Sequence, residues 1–296
     1  MDYYSSPWPE LIACGRPLIF TRPQVMGILN VTPDSFSDGG QFLDPVAAAE
    51  RAHQMVEDGA DVLDIGAEST RPGSHRVPEE EELRRILPVV SALARTISVP
   101  LSVDTMKASV AERALALGAV MVNDVSGLCA DARMKSVVAA SGAAVVIVHM
   151  QGTPDRMQLA PRYTDVVREV CEFLATQMES AIQSGISSEQ MILDPGIGFG
   201  KMVEDNLALL NGLSQLHELK RPIMVGVSRK SFIGHLLGRP IDERVSGSLA
   251  AAAVALMHGA SMIRVHDVAA SRDLVMMIDA IRRDHRSARE GSRTDA

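Results

Sequence analysis

With 296 residues, 46% of them hydrophobic but only 3% aromatic, the chain can build a large aliphatic core, which suits parallel strands beneath helices better than a β-sandwich. A net charge of -8 argues against nucleic acid or an acidic membrane as the partner of the whole chain. We expect no membrane segment and a cytoplasmic location. No apolar run has the length of a span, the N-terminus lacks a secretory pattern, and the three cysteines are scattered without metal or disulfide spacing.

Short apolar segments alternate with amphipathic segments along the chain. Two small apolar pieces separated by Gly15-Arg16-Pro17 predict an N-terminal β-hairpin within residues 1–22. Buried strands are then predicted at 25–30, 62–66, 101–104, 120–125, 144–150, 191–194, 223–227 and 262–266. Helices are predicted between and after them, at 45–58, 79–96, 107–117, 131–140, 163–184, 204–219, 244–258 and 271–284.

Eight strand–helix units in series predict an α/β fold, the (β/α)8 TIM barrel with an N-terminal β-hairpin. An open doubly wound sheet is the alternative, but no GxGxxG pattern follows the first strand. Nothing in the sequence marks a second domain, so we expect residues 1–296 to form one. The charged stretch 285–296 has no apolar face and is expected to be a disordered tail.

Polar side chains stand at the carboxyl ends of the predicted strands, where a barrel of this kind places its functional groups. Asp104, Asn123 and Asp194 offer acceptors and an amide that suit the donor edge of a flat heterocycle. A cationic set suits a phosphate or diphosphate, and it consists of Arg71, Arg229, Lys230, Arg264 and His266. Asn30 is a neutral oxygen ligand of the type that Mg²⁺ accepts alongside phosphate and water.

Each of these residues also has a simpler interpretation. Asp194 precedes Pro195 and could only cap a turn, and Arg264 could pair with Asp267 on the rim. His266 alone could be structural. Asp61 and Asp64 flank another predicted strand and are interpreted as structural residues.

Six sequence blocks resemble the bacterial dihydropteroate synthases, a family of pterin-binding TIM barrels. In chain order they are NVTPDSFSDGG (30–40), DIGAESTRPG (64–73), NDVSG (123–127), LDPGIGFGK (193–201), SRKSFIG (228–234) and RVHDV (264–268). The resemblance runs from the first predicted strand to the eighth. It departs from the family pattern at Met202 and Asp205, where Thr and His would be expected.

The resemblance implies an enzyme that condenses 4-aminobenzoate with a dihydropterin methyl diphosphate, giving dihydropteroate and diphosphate in folate synthesis. It implies a pterin site made of Asp104, Asn123, Asp194, Lys230, Val125, Met150, Gly226 and Arg264. It implies an aminobenzoate site, open also to sulfonamides, made of Thr70, Arg71, Pro72, Phe199, Lys230 and Ser231. Diphosphate would lie on Asn30, Arg264 and His266, with Mg²⁺ on Asn30.

By the same resemblance, the catalytic residues would be Asn30, Asp38, Arg264, His266 and Lys230. Asp38 would belong to a mobile first loop with Gly39-Gly40, residues 69–78 would form a second loop, and the chain would be a homodimer. Two alternatives share the pterin site. One is a pterin-dependent methyltransferase domain, although no corrinoid module follows here. The other is a pterin-binding paralogue without synthase activity.

Overall fold

The computed structural model of the chain describes residues 10–32, 45–69, 74 and 76–294, with side chains described as far as residue 282. The strands are β1 (Leu11–Ala13), β2 (Arg16–Leu18), β3 (Gln24–Asn30), β4 (Val62–Gly66), β5 (Leu101–Asp104), β6 (Met121–Asp124), β7 (Ala144–Val148), β8 (Met191–Asp194), β9 (Met224–Val225) and β10 (Met262–Val265). The helices are α1 (Pro45–Glu57), α2 (Glu79–Thr96), α3 (Ala108–Ala116), α4 (Met134–Ser141), α5 (Val166–Gln183), α6 (Val203–Asn211), α7 (Ser231–Leu237), α8 (Val245–Met257) and α9 (Val268–Thr294). Among the residues described, none of the helices combines the length and apolar character that crossing a bilayer requires.

Strands β3 to β10 form one parallel sheet in the order β8-β7-β6-β5-β4-β3-β10-β9. The two edges of this sheet meet through a parallel bridge between Leu193 and Ile223, and the backbone N–H of Leu193 donates to the carbonyl of Pro222 at 2.9 Å. An open doubly wound sheet leaves its edges apart. The predicted (β/α)8 barrel is therefore confirmed.

The predicted N-terminal hairpin is also confirmed, as an antiparallel pair of β1 and β2. Its Leu11, together with Phe20 beyond it, belongs to the apolar cluster that fills the barrel interior. The hairpin is tied to the segment before β7 by a hydrogen bond from the Cys14 N–H to the Gly142 carbonyl at 2.7 Å. It therefore covers the amino-terminal end of the strands and leaves the carboxyl end open.

Three helical segments differ from the prediction. α7 was not predicted, because its seven residues are too few to show a 3.6-residue period. The predicted helix 204–219 is two segments, since α6 ends at Asn211 and a 3₁₀ helix occupies Leu213–Leu219 after Gly212. The helical backbone of α9 continues to Thr294, through residues predicted as a tail. Absence of an apolar face does not prevent a helix where Ala, Arg and Glu favour one.

Alternation along the strands places polar side chains inside the barrel at its carboxyl end. In β3, Val25 and Leu29 pack outward against the helices, whereas Met26 belongs to the interior cluster. Because successive side chains point to opposite faces, Asn30 shares the inner face with Met26. The same two-residue step carries five further polar side chains to the inner face, namely Asp64, Asp104, Asn123, Asp194 and Arg264.

Candidate active site

A cavity of about 610 Å³ opens at the carboxyl end of the strands. Its walls come from many strands at once, so residues far apart in sequence meet there. The predicted site residues that line it are Asn30, Asp104, Asn123, Val125, Asp194, Phe199, Gly226, Arg229, Lys230, Ser231, Arg264 and His266. Asp38, Thr70, Arg71 and Pro72 lie outside the described residues.

Met150 is not among the residues that line the cavity, and its expected position beside the pterin stays a prediction. Strand β7 ends at Val148, so the chain leaves the strand direction before the alternation reaches Met150. Val148 and Met157 line the cavity instead. Met157 is 3% exposed within the polar stretch 151–162. No sequence signal pointed to this position, since Leu159 in the same stretch is also apolar and is 79% exposed.

Three buried acceptor side chains, Asp104, Asn123 and Asp194, form one part of the wall. Burial is the main reason that the pKa of Asp104 is raised to about 7 and that of Asp194 to about 6. Asp194 also accepts a hydrogen bond from the backbone N–H of Gly196 at 2.7 Å. The turn-capping role and the cavity-lining position therefore both hold for Asp194.

Arg264 lies among carboxylates rather than on the rim. Its Nε donates to Asp64 Oδ2 at 2.7 Å and its Nη2 donates to Asp104 Oδ2 at 2.6 Å. Burial lowers the pKa of this guanidinium, but the two carboxylates outweigh burial and raise it. The pairing of Arg264 with Asp267 suggested as an alternative is wrong: Asp267 accepts two bonds from Arg229, at 3.0 and 2.5 Å. Arg229, placed in the cationic set, is therefore largely neutralised by this ion pair.

His266 is held by Ser228, a residue that the sequence did not single out. The backbone N–H of His266 donates to Ser228 Oγ at 3.1 Å, and Nδ1 of its ring lies 3.0 Å from the same oxygen. When the ring carries its proton on Nε2, the serine hydroxyl can donate its own proton to Nδ1. In that tautomer the imidazole presents a donor.

Lys230 and Phe199 form a stacked pair at the mouth of the cavity. Lys230 Nζ lies 3.8 Å from the centroid of the Phe199 ring, a cation–π distance. Gly198 makes room for this pair, since a Cβ there would lie 2.9 Å from Lys230 Cδ. The two residues were predicted to share an aminobenzoate site, and they do lie together.

Lys201 supports the loop that carries Phe199, and the sequence reasoning gave it no role. Its buried Nζ donates to the carbonyls of Gly196 at 2.9 Å and Phe199 at 3.0 Å, and lies 2.8 Å from His149 Nδ1. Burial lowers the pKa of Lys201 to about 7, and burial together with this amine lowers the pKa of His149 to about 3. Gly196 has a φ of 68°, and a Cβ there would lie 1.8 Å from the His149 carbonyl oxygen. The loop and the residues after β7 are therefore packed backbone to backbone.

Lys107 ties the two ends of the connection between β4 and α2. Its Nζ donates to Glu68, which lines the cavity, and to Glu82 in the first turn of α2. Thr105 donates a further bond to Glu82 at 2.6 Å. This buried network fixes the described ends of the connection that contains Thr70, Arg71 and Pro72.

A fully protein-made metal centre is not present in the part of the chain that the structure describes. No cluster of three or more His, Cys, Asp or Glu side chains there could hold a metal ion. Asn30 lines the cavity as a neutral oxygen donor. That donor fits Mg²⁺ only as a shared ion, because Mg²⁺ commonly takes one or two protein oxygens together with substrate phosphate and water.

The fold and the cavity are those of a pterin-binding enzyme: the family model described as pterin binding enzyme matches residues 26–266. A protein of Escherichia coli K12 named dihydropteroate synthase is 45% identical over 271 residues, which cover 92% of this chain and 96% of that protein. The solved structure of Yersinia pestis dihydropteroate synthase with a sulfonamide drug is 45% identical, has a TM-score of 0.87, and covers 92% of this chain and 99% of that one. Xanthomonas albilineans dihydropteroate synthase with 4-aminobenzoic acid is 47% identical, with a TM-score of 0.87 over 93% of this chain and 98% of that one. The chain belongs to the dihydropteroate synthase family.

Proposed function

We propose that this chain condenses 4-aminobenzoate with a 7,8-dihydropterin methyl diphosphate, giving 7,8-dihydropteroate and diphosphate in folate synthesis. The observation that carries this proposal is a single cavity with two chemically different walls. One wall offers buried acceptors for a heterocycle, and the other offers cations for an anion. Membership of the dihydropteroate synthase family supports the same reaction.

The pterin binds on the acceptor wall. The Asp194 carboxylate accepts two parallel N–H bonds from the amidine-like edge of the ring, a bidentate arrangement that favours the ionised acid. Asp104 and Asn123 receive the other polar edge, and Val125 and Gly226 lie against the ring faces. Lys230 adds a donor near this site.

Arg264, His266 and Asn30 hold the diphosphate. Arg264 supplies charge, and His266 supplies an N–H donor oriented through Ser228. Mg²⁺ would be held by Asn30 and by the oxygens of the substrate, and it would neutralise charge on the departing diphosphate. Asp38, in the first loop, remains a catalytic candidate outside the described residues.

The aminobenzoate lies between Phe199, Lys230 and Ser231. The ring of Phe199 offers an apolar face, and Lys230 with the N-terminal residue of α7, Ser231, offers donors to a carboxylate. Thr70, Arg71 and Pro72, which lie outside the described residues, are proposed as further members of this site. Sulfonamides, which are bound by the Yersinia pestis relative, would compete for the same position.

The reaction is a dissociative displacement. The bond between the pterin methylene carbon and the diphosphate oxygen breaks, both electrons leave with the oxygen, and the conjugated ring spreads the positive charge over the carbon. The neutral arylamine then forms the new C–N bond, and its surplus proton passes to the released diphosphate or to water. An arylamine needs no strong base at neutral pH, so these side chains act mainly by positioning and by taking up charge on the leaving group.

The enzyme is proposed to be a cytoplasmic homodimer. Six apolar side chains on α7, α8 and α9 are at least 43% exposed, namely Leu236, Leu237, Val254, Met276, Met277 and Ile281. Apolar groups on neighbouring helices favour burial against a second copy. The described cysteines Cys14, Cys129 and Cys171 are free thiols, in keeping with a reducing compartment.

Diphosphate release tests the reaction. Purified protein is mixed with Mg²⁺, the dihydropterin methyl diphosphate and 4-aminobenzoate, and diphosphate is measured together with dihydropteroate. We expect equal amounts of the two products and no dihydropteroate when aminobenzoate is omitted. Pterin binding without either product would identify a pterin-binding paralogue and refute the proposed reaction.

A further inference from the structure

Asp64 lies beneath the cavity rather than in its wall. It is the third residue of β4, and its neighbours in register are Ile28 of β3 and Ser102 of β5. Its side chain is 0% exposed and is not among the residues that line the cavity. A substrate in the cavity therefore meets other side chains first.

One oxygen of Asp64 joins two cavity residues from different parts of the barrel. Its Oδ2 accepts from Asn123 Nδ2 at 2.8 Å and from Arg264 Nε at 2.7 Å. Asn123 belongs to β6 and Arg264 to β10, and each of these strands is two places from β4 in the sheet. The carboxylate thus connects the acceptor wall to the cationic wall.

The first contact decides which end of the Asn123 amide the ligand meets. An ionised carboxylate can only accept hydrogen bonds, so the amide nitrogen must face Asp64. The amide oxygen is then turned away from Asp64. This Oδ1 is buried and has no hydrogen-bond partner among the described residues, so an N–H group of a ligand would satisfy it.

The second contact fixes the plane of the Arg264 guanidinium. Asp64 holds Nε while Asp104 holds Nη2, so two bonds on different atoms prevent rotation of the group. A burial cost remains at Asp64 itself, because its Oδ1 is buried without a hydrogen-bond partner in the described part of the chain. A carboxylate that served stability alone would gain from pairing both oxygens.

We propose that Asp64 is a positioning residue that fixes both the acceptor for the pterin ring and the cation for the diphosphate, an inference that rests on the proposed function. It acts through Asn123 and Arg264 without touching substrate. Its removal should therefore change two measurable quantities. The affinity for the pterin ring depends on Asn123, and the turnover depends on the contact of Arg264 with the diphosphate.

The test compares Asp64→Ala and Asp64→Asn with Asp61→Asn as the matched control. Asp61 precedes the same strand but pairs with Arg22, through bonds of 2.8 and 2.6 Å, away from the cavity. Calorimetry measures the affinity for a pterin without diphosphate. Steady-state kinetics measure kcat and the KM for 4-aminobenzoate, and circular dichroism checks folding.

Asp64→Ala should weaken pterin-ring binding about tenfold and lower kcat by more than that, because one polar contact is lost at each partner. Asp64→Asn keeps an oxygen that can accept from Asn123, so ring affinity should return to within about threefold. The kcat should stay low because a neutral amide replaces the carboxylate whose charge-assisted bond holds Arg264 Nε. The aminobenzoate KM should be unchanged, and Asp61→Asn should alter none of the three.

Two results would overturn the proposal. One is folded Asp64→Ala protein with wild-type ring affinity and kcat; the other is Asp61→Asn protein with the same losses. If Asp64→Ala does not fold, Asp64→Asn decides alone: low kcat with intact ring affinity supports the proposal, and wild-type kcat refutes it. A wild-type protein that releases no diphosphate would instead refute the proposed reaction.

Discussion

Replacing Asp194 by asparagine should weaken pterin binding and stabilise the unliganded fold. Burial raises the pKa of Asp194 to about 6 from its ordinary value of 3.8. Between pH 3.8 and about pH 6, Asp194 therefore binds a proton in the folded protein that it does not bind in the unfolded chain. The free energy of unfolding falls as pH rises through this window. The difference of roughly two pKa units corresponds to about 3 kcal/mol at neutral pH. Asparagine is neutral and of the same size, so it should recover up to that amount.

The same substitution damages recognition of the ring. The introduced amide retains one oxygen, which can still accept from the Gly196 N–H that Asp194 binds at 2.7 Å. Its amide nitrogen then faces a ligand N–H, donor against donor. Loss of a charge-assisted bond costs about 3 kcal/mol, or roughly a hundredfold in affinity.

Urea unfolding and calorimetry with a pterin lacking diphosphate measure the two effects separately. At pH 7.5 the Asp194→Asn variant should unfold at higher urea than wild type and bind the pterin roughly a hundredfold more weakly. At pH 4 the stability difference should shrink, since the wild-type acid is then largely protonated. The reasoning fails if the variant is less stable than wild type at pH 7.5, or if it binds pterin with wild-type affinity.

Three other measurements address the remaining cavity residues. Asn30→Ala should lower kcat about a hundredfold, as a lost ligand to developing charge does, while calorimetry shows unchanged pterin-ring affinity; equal losses would contradict the diphosphate assignment. Wild-type pterin affinity should fall as pH drops from 7 to 5, approaching tenfold per unit below pH 6, because the raised pKa of Asp194, about 6, allows this acid to gain a proton; affinity flat between pH 5 and 7.5 would refute this. Lys201→Met should raise the aminobenzoate KM by loosening the Phe199 loop, and should also remove a rise in unfolding free energy above pH 7. That rise is expected in wild type because burial lowers the pKa of Lys201 to about 7 in the folded protein. Between pH 7 and the ordinary lysine pKa of 10.5, the unfolded chain therefore binds more protons than the folded protein, and stability rises with pH. A Met variant with the wild-type pH slope and KM would exclude this role.

Sequence alone located the polar layer of the barrel because two local signals agreed. Strand ends mark the catalytic face of a barrel, and alternation selects the inner side chain. Asn30, Asp104, Asn123, Asp194 and Arg264 satisfy both conditions. Met150 is in phase with the inner face of β7, but the strand ends at Val148, before it reaches Met150.

Supporting residues escaped prediction because their roles depend on contacts between distant segments. Ser228 is significant only beside His266, and Lys201 only against the carbonyls of its own loop and His149. Asp64 was interpreted as structural along with Asp61. That interpretation suits Asp61, which pairs with Arg22. It omits the two cavity residues that Asp64 holds.

The position of Arg264 changes how its removal should be interpreted. The guanidinium faces the cavity, but it also neutralises Asp64 and Asp104, both buried. Removing one partner of a buried ion pair leaves an uncompensated charge and costs about 3–5 kcal/mol. Lost turnover in an Arg264 variant would therefore combine a lost diphosphate contact with a disturbed acceptor wall. Asn30 carries no charge and neutralises no buried acid, so its variant reports on the diphosphate more directly.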